Sequence, residues 1–353
     1  MSASGDGVGL ALQSLEQLVV RTPLLEAPLL NRLVEERLGK KLRVVFKAEC
    51  LQHTGAFKFR GATNRIFKLT PEERSKGVVA FSSGNFAQAL ALAATTNHVK
   101  CTIVAPHDAP PLKIERTKLY GAHVMLSTPK PGENREVAAS ALANTFARET
   151  GATLLHPFDD FEVMYGQGTL ALEAFQQAKA MGIDRLAAMV VPTGGGGMMA
   201  GCALAKQYAS DYNKKQKDLN TFSPGANTRL WTVEPEGYDD HAQSFFHESK
   251  ERTPLQGIPA KTVCDALQAS APGLLTWQIN HNAIHGSVCM PDAAAIEAMK
   301  IAFNELKLVL EPSGALGLAA LLAGKIHVDE DDVVCIVLCG GNVALHDFVE
   351  LCS

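Results

Sequence analysis

Ala187-Ala-Met-Val-Val-Pro-Thr-Gly194-Gly195-Gly196-Gly197-Met198-Met-Ala-Gly201 reads as a buried strand, a glycine turn and the start of a helix. Four consecutive glycines cost conformational entropy unless something must approach the backbone closely. At a helix N-terminus the free amide N–H groups and the positive dipole end suit an anion such as phosphate. The same stretch contains Gly195-x-Gly197-x-x-Ala200, a match to the dinucleotide fingerprint, and Glu234 ends a later strand where a ribose-binding acid would sit. Two readings of the turn are open: a phosphate cradle for another cofactor, and the NAD site of a dehydrogenase.

Outward from this turn the same alternation repeats. Short apolar runs at 43–47, 77–81, 100–105, 123–126, 230–234 and 332–339 read as strands. Between them, helical patterns occupy 61–69, 85–96, 111–119, 135–149, 166–181, 197–210, 293–305 and 313–323. Strand–helix alternation with strands apolar throughout predicts an α/β fold with open, mostly parallel sheets covered by helices on both faces. At 353 residues there is room for two domains of about 150 residues each. A chain 46% hydrophobic and 20% charged is not a disordered one. The net charge of −4 gives no reason to expect a nucleic-acid partner. No apolar run approaches the ~18 residues that a membrane span requires. The eight cysteines are scattered without a Cys-x-x-Cys pair, as expected of reduced core thiols in a cytoplasmic protein. The first basic residue is Arg21, so the N-terminus fits neither a secretory signal nor a transit peptide.

Three further turns join glycine to polar groups. Phe81-Ser82-Ser83-Gly84-Asn85-Phe86-Ala-Gln88 follows a strand, and its serines and asparagine serve either as helix caps or as ligand contacts. Cys339-Gly340-Gly341-Asn342 follows the most apolar strand. Thr54-Gly-Ala-Phe57-Lys58-Phe59-Arg60-Gly61-Ala62 places a lysine between two phenylalanines at a helix start. Apolar neighbours lower a lysine pKa by desolvation and supply the neutral amine that forms a Schiff base.

Together these pieces resemble the serine racemase / serine–threonine dehydratase group of fold-type II pyridoxal-phosphate enzymes. The similarity runs in order from Arg21-Thr-Pro-Leu24 to the Cys339 turn, and includes His156-Pro157, Gly166-Gln-Gly-Thr169 and Glu311-Pro-Ser-Gly314. It implies that Lys58 holds pyridoxal 5′-phosphate and acts as a base at Cα, with Phe57 beside the ring. It further implies that Asn85 donates to the ring 3′-oxygen, that Gly194, Gly195, Gly196, Gly197 and Met198 hold the phosphate, and that Cys339 faces the pyridine nitrogen. A neutral partner at that nitrogen is compatible with elimination and racemisation. Ser83 matches the residue across the cofactor plane from the lysine, and racemisation needs an acid/base on each face of Cα. Ser82, Ser83, Gly84, Asn85 and Gln88 would cradle the substrate carboxylate, and Arg135 could read a second carboxylate.

Glu234-Pro-Glu-Gly-Tyr238-Asp-Asp240 resembles the divalent-cation site of the racemase group. Glu234, Asp240 and the Tyr238 carbonyl would offer oxygens to Mg²⁺ or Ca²⁺. The resemblance places the small, mobile domain at 76–155 and the large cofactor-binding domain at 1–75 and 156–353. The expected activity is racemisation of serine with L-serine and L-threonine dehydration. The alternative is a threonine or 3-hydroxyaspartate dehydratase with little racemase activity. A small hydroxy amino acid is the implied substrate, a homodimer the implied assembly, and a nucleotide effector a further candidate partner. His281 and His285, four apart, could share a helix face, but no third metal ligand lies within sequence reach.

Overall fold

A computed structural model of the chain describes residues 3–130, 135–215, 223–249, 251–257 and 261–353. Residues 131–134, which precede Arg135, thus lie outside the described residues. The strands are β1 (Leu24–Glu26), β2 (Arg43–Lys47), β3 (Val78–Phe81), β4 (Cys101–Pro106), β5 (His123–Ser127) and β6 (Thr153–Leu154), then β7 (Ala188–Pro192), β8 (Arg229–Pro235), β9 (Ile284–Met290) and β10 (Val333–Val337). They form a six-stranded sheet in the order β1-β2-β10-β7-β8-β9 and a four-stranded sheet in the order β5-β4-β3-β6. Every pairing is parallel except β1 with β2. The expected α/β architecture is thus present, with a small antiparallel edge.

Burial follows strand pleating. Val44 and Phe46 of β2 and Val334 and Ile336 of β10 pack into one hydrophobic cluster. Val45, Cys335 and Val337 face the opposite one. The small sheet divides likewise, with Val78 and Ala80 on one side and Val79 on the other. All eight cysteines are free thiols. Among the described residues no helix is long and apolar enough to cross a membrane.

The register sets the site. β10 lies beside β7 with Val334 opposite Ala188 and Ile336 opposite Val190. The turns that follow these two parallel strands therefore emerge at the same sheet edge, outside the carboxyl ends where α/β sheets bind ligands. They are the Gly194–Gly197 turn and the Cys339–Asn342 turn.

Beneath that edge lies a buried charge network. Arg60, in the helix Lys58–Phe67, makes paired hydrogen bonds to Glu49 at 2.7 and 2.9 Å and to Glu173 at 2.8 and 2.8 Å. Lys47 completes the balance at 2.7 Å from Glu173, and Thr22 donates to Glu49 at 2.5 Å. Two cations thus match two carboxylates, all of them buried. Removing one member strands a charge that its environment cannot solvate. Arg60→Ala should lower the unfolding free energy by about 3–5 kcal/mol in urea titrations. Arg60→Lys should recover only part of this, because an ammonium cannot form two planar forks. Equal stability of the alanine variant and the wild type would show that the network is not a structural keystone.

Candidate active site

Lys58 is the first residue of its helix, and the strap after β10 pins the backbone that leads to it. Phe57 N donates to Cys339 O at 3.1 Å, and Ala56 bridges Gly340. The Lys58 amine donates to Pro157 O at 2.9 Å. It lies 5.2 Å from the Phe57 ring centroid and 5.8 Å from that of Phe86. Burial lowers its pKa to about 8. The apolar lysine environment read from the sequence is present, with one change of partner. Phe59 turns instead to His53, ring centroids 5.0 Å apart, and Phe86 supplies the second ring.

Phe86 belongs to the helix Asn85–Thr96, whose start carries the Ser82–Asn85 turn. Asn85 does not cap that helix. Its amide donates to Glu311 Oε1 at 2.6 Å and its carbonyl accepts from Asn342 Nδ2 at 2.8 Å. The capping alternative therefore fails for Asn85. Ser82 accepts weakly from Gly84 N at 3.3 Å, and Ser83 has no side-chain partner among the described residues. Gln88 is buried with both amide atoms unpartnered, an arrangement that costs free energy unless a ligand or water completes it. It lines a cavity of about 720 Å³ together with Lys113, Arg116, Asp265, Glu311 and Asn342. Neither Lys58 nor Asn85 is part of that lining. Lys113 and Asp265 form an ion pair across this space.

The glycine turn has the form its sequence suggested. Gly196 sits at φ +89°, where L side chains are strained, and a Cβ on Gly195 would lie 2.4 Å from the Phe158 ring. The carbonyls are tied back, Gly195 O accepting from Thr276 Oγ1 at 2.7 Å and Gly196 O from Asn280 Nδ2 at 3.2 Å. Among the described residues, the amides of Gly194 to Met198 donate to no protein acceptor, and the helix Gly197–Lys215 begins there. Five free N–H groups at a helix N-terminus are a nest for phosphate.

Desolvation shifts three groups in this region towards their neutral forms. Burial, reinforced by Glu311, pushes the Cys339 thiol well above its ordinary value, and the thiol donates to Ser313 O at 3.7 Å. Burial raises Glu311 to about 7. Burial lowers the His156 pKa despite Asp159 nearby, and its Nδ1 accepts from Asp159 N at 2.9 Å. Glu311 and His156 stand in quoted motifs without an assigned role. The signal for Glu311 was a lone charge opening an apolar helix, Pro312–Leu322.

The acidic loop departs from expectation. Glu234 accepts from the amides of His241 and Ala242 at 2.8 Å each, so it stabilises the start of the helix Asp240–Phe246. Both its oxygens are engaged inside the fold, which removes the ribose-binding acid on which the NAD reading leaned. Glu234 and Asp240 do come together, but the third donor atom beside them belongs to His241. Tyr238 is half-buried on the intervening turn, its amide donating to Pro235 O at 3.1 Å. Arg135 pairs with Asp108 at 2.9 Å, both substantially exposed. His281 and His285 do not share a helix: the helix Leu274–Ala283 ends between them and β9 begins.

Free amides for a phosphate, a buried amine near neutrality for an aldehyde and a neutral thiol beside them fit the functional groups of pyridoxal phosphate. Known proteins agree. The chain is 38% identical over 329 residues to the serine racemase of Arabidopsis thaliana, covering 92% of this chain and 88% of that protein. It is 37% identical over 345 residues to the L-threo-3-hydroxyaspartate ammonia-lyase of Saccharomyces cerevisiae, covering 97% and 94%. The solved structure of maize serine racemase superposes with a TM-score of 0.83 at 34% identity, covering 99% of this chain and 97% of that one. Residues 15–340 match the profile of the pyridoxal-phosphate dependent enzymes, and the chain belongs to that family.

Proposed function

We propose that this enzyme racemises serine and releases ammonia from L-serine and L-threonine, each reaction starting with loss of the Cα proton. The observation that carries the reading is the Lys58 amine, brought near neutrality and placed beside the Ser82–Asn85 turn. The relatives named above, together with the catabolic L-threonine dehydratase of Staphylococcus aureus at 34% identity, act on this substrate class by name and support it.

Pyridoxal phosphate, when bound, supplies the electron sink that acidifies Cα. The chain supplies everything else. Lys58 carries the aldehyde-reactive nitrogen and takes the Cα proton on one face. Ser83, its hydroxyl uncommitted among the described residues, returns a proton on the other face. Gly194 to Met198 would hold the phosphate, and Phe57 would pack beside the ring. Asn85, fixed between Glu311 and Asn342, would donate to the ring oxygen. Cys339 would offer the ring nitrogen a neutral thiol, a partner compatible with elimination and racemisation. Ser82, Ser83, Gly84 and Gln88 receive the substrate carboxylate. Residues 76–155 close over the cleft as a small domain against 1–75 and 156–353, with the Lys113–Asp265 pair as a latch that excludes water. A cytoplasmic homodimer and a nucleotide effector complete the proposal. Mg²⁺ or Ca²⁺ would take Glu234, Asp240 and the Tyr238 carbonyl, but the His241 nitrogen between the carboxylates does not fit an all-oxygen set. No step is routed through a metal.

The yeast ammonia-lyase favours a second reading, elimination from threonine or 3-hydroxyaspartate with little racemisation. Arg135 would then have to leave Asp108 to meet the second carboxylate. Product analysis on L-serine, D-serine, L-threonine and 3-hydroxyaspartate separates the two readings: absence of D-serine formation overturns the first.

Borohydride reduction of the holoenzyme should fix the cofactor to Lys58 in peptide mapping, and Lys58→Ala should abolish both reactions. An adduct at another lysine would defeat the assignment.

Ser83→Ala should slow racemisation by about 10²-fold or more, within the range of a lost acid/base, and dehydration by much less. Equal losses in the two reactions would exclude opposite-face proton transfer.

Because burial lowers the Lys58 pKa to about 8, the amine is protonated below that pH and nucleophilic above it. Capture of pyridoxal phosphate by the apoenzyme, followed by absorbance, should accelerate with rising pH and level off above about pH 8. A midpoint near the ordinary lysine value would show that the amine is not desolvated.

A further inference from the structure

The Gly196 carbonyl can only accept a hydrogen bond, so the Asn280 atom 3.2 Å from it must be the amide nitrogen. The same nitrogen lies 3.3 Å from His241 Nε2. A neutral imidazole facing that NH₂ group accepts at Nε2 and carries its single proton on Nδ1. That Nδ1 is 3.3 Å from Asp240 Oδ2 and 3.5 Å from Glu234 Oε1, and all three side chains are completely buried. Both Asp240 oxygens and His241 Nδ1 are without a well-aligned hydrogen bond, and the imidazole N–H is the polar group nearest to satisfying those oxygens.

Mg²⁺ and Ca²⁺ prefer oxygen ligands and repel an N–H directed into their coordination space. We infer that His241 takes the place of a divalent cation in this chain, its Nδ1–H bridging Glu234 and Asp240 while its other face, through Asn280, braces the Gly196 carbonyl of the phosphate turn. The turn is then held in shape with no metal. The steric fit is close: a Cβ on Gly196 would lie 2.5 Å from His241 Nε2 and 2.7 Å from Asn280 Nδ2.

The test uses purified holoenzyme. Elemental analysis should find no stoichiometric divalent ion, and EDTA, Mg²⁺, Ca²⁺ and Mn²⁺ should leave the unfolding temperature and the serine turnover unchanged. A tightly held ion, or a loss in EDTA that Mg²⁺ or Ca²⁺ restores, overturns the inference. His241→Ala should open the space between the carboxylates and make the unfolding temperature rise with added Mg²⁺ or Ca²⁺, because binding to the native state alone stabilises it. Indifference of a folded alanine variant to both ions counts against it. His241→Gln, which keeps an amide N–H towards the carboxylates, should fold and stay indifferent to metal; a metal requirement in that variant also counts against it. The unfolding readout is independent of the substrate reading.

Discussion

Arg60 is gripped from two sides by carboxylates, and the position of the reactive lysine follows from that grip. Glu49 comes from the segment just after β2, Glu173 from the long helix Phe161–Ala180, and Arg60 lies two residues beyond Lys58. Two planar forks on one guanidinium fix both the height and the rotation of the Lys58 helix. Gly61 N donates to Gln167 Oε1 at 3.1 Å, and Gly166 comes so near that a Cβ there would lie 2.6 Å from Arg60 O. The helix start cannot slide without breaking charge pairs in a region that water does not reach. The role proposed for Lys58, an amine that meets a cofactor and a substrate proton within fractions of an ångström, requires such a foundation.

The two parallel strands β7 and β10 deliver the complementary half. Their turns leave the same sheet edge, one with free amides and the other with a thiol, a glycine pair and Asn342. Asn342 then reaches back to Thr54 O at 2.7 Å and across to Asn85. Three turns distant in sequence are thus joined by one asparagine. The joint also links the two sheets, because Asn85 begins a helix packed on the small sheet. A shift of that sheet against the large one would be transmitted to the Asn85 amide through the same contacts.

Much of this was legible in the residues. The strand at 43–47 and the helices at 85–96 and 111–119 fall where the pattern put them, since apolar parallel strands and Ala/Leu-rich helices carry strong period signals. The helix Gly5–Leu15 was hidden because Gly5, Gly7 and Gly9 weaken helix propensity. They are there for close approach: a Cβ on Gly5 would lie 2.6 Å from Tyr208 N, and one on Gly9 2.6 Å from the Tyr208 ring. Strand β9 was missed because Ile284-His-Gly-Ser-Val-Cys-Met lacks a continuous apolar run. Its Gly286 exists to admit the Trp231 ring, which an added Cβ would meet at 2.3 Å. The motifs proposed to bind the cofactor were readable as local strings. His241 and Asn280 were not, because their meaning lies in a contact between segments 39 residues apart.

Charge is distributed in two layers with opposite logic. In the lower layer, Arg60 meets Glu49 and Glu173, and Lys47 meets Glu173, at hydrogen-bond distance. In the layer that faces the cleft, the same desolvation acts on groups without full partners. It moves Lys58 down to about 8, Glu311 up to about 7 and the Cys339 thiol far from ionisation. The first layer gains geometry from its charges. The second gains groups that exchange protons near neutral pH, which is the condition for moving a Cα proton at a useful rate. Exchanging the two arrangements would fail at both levels: an unpaired charge below would unfold the helix start, and a lysine fully paired with a carboxylate above would stay protonated and could not attack an aldehyde.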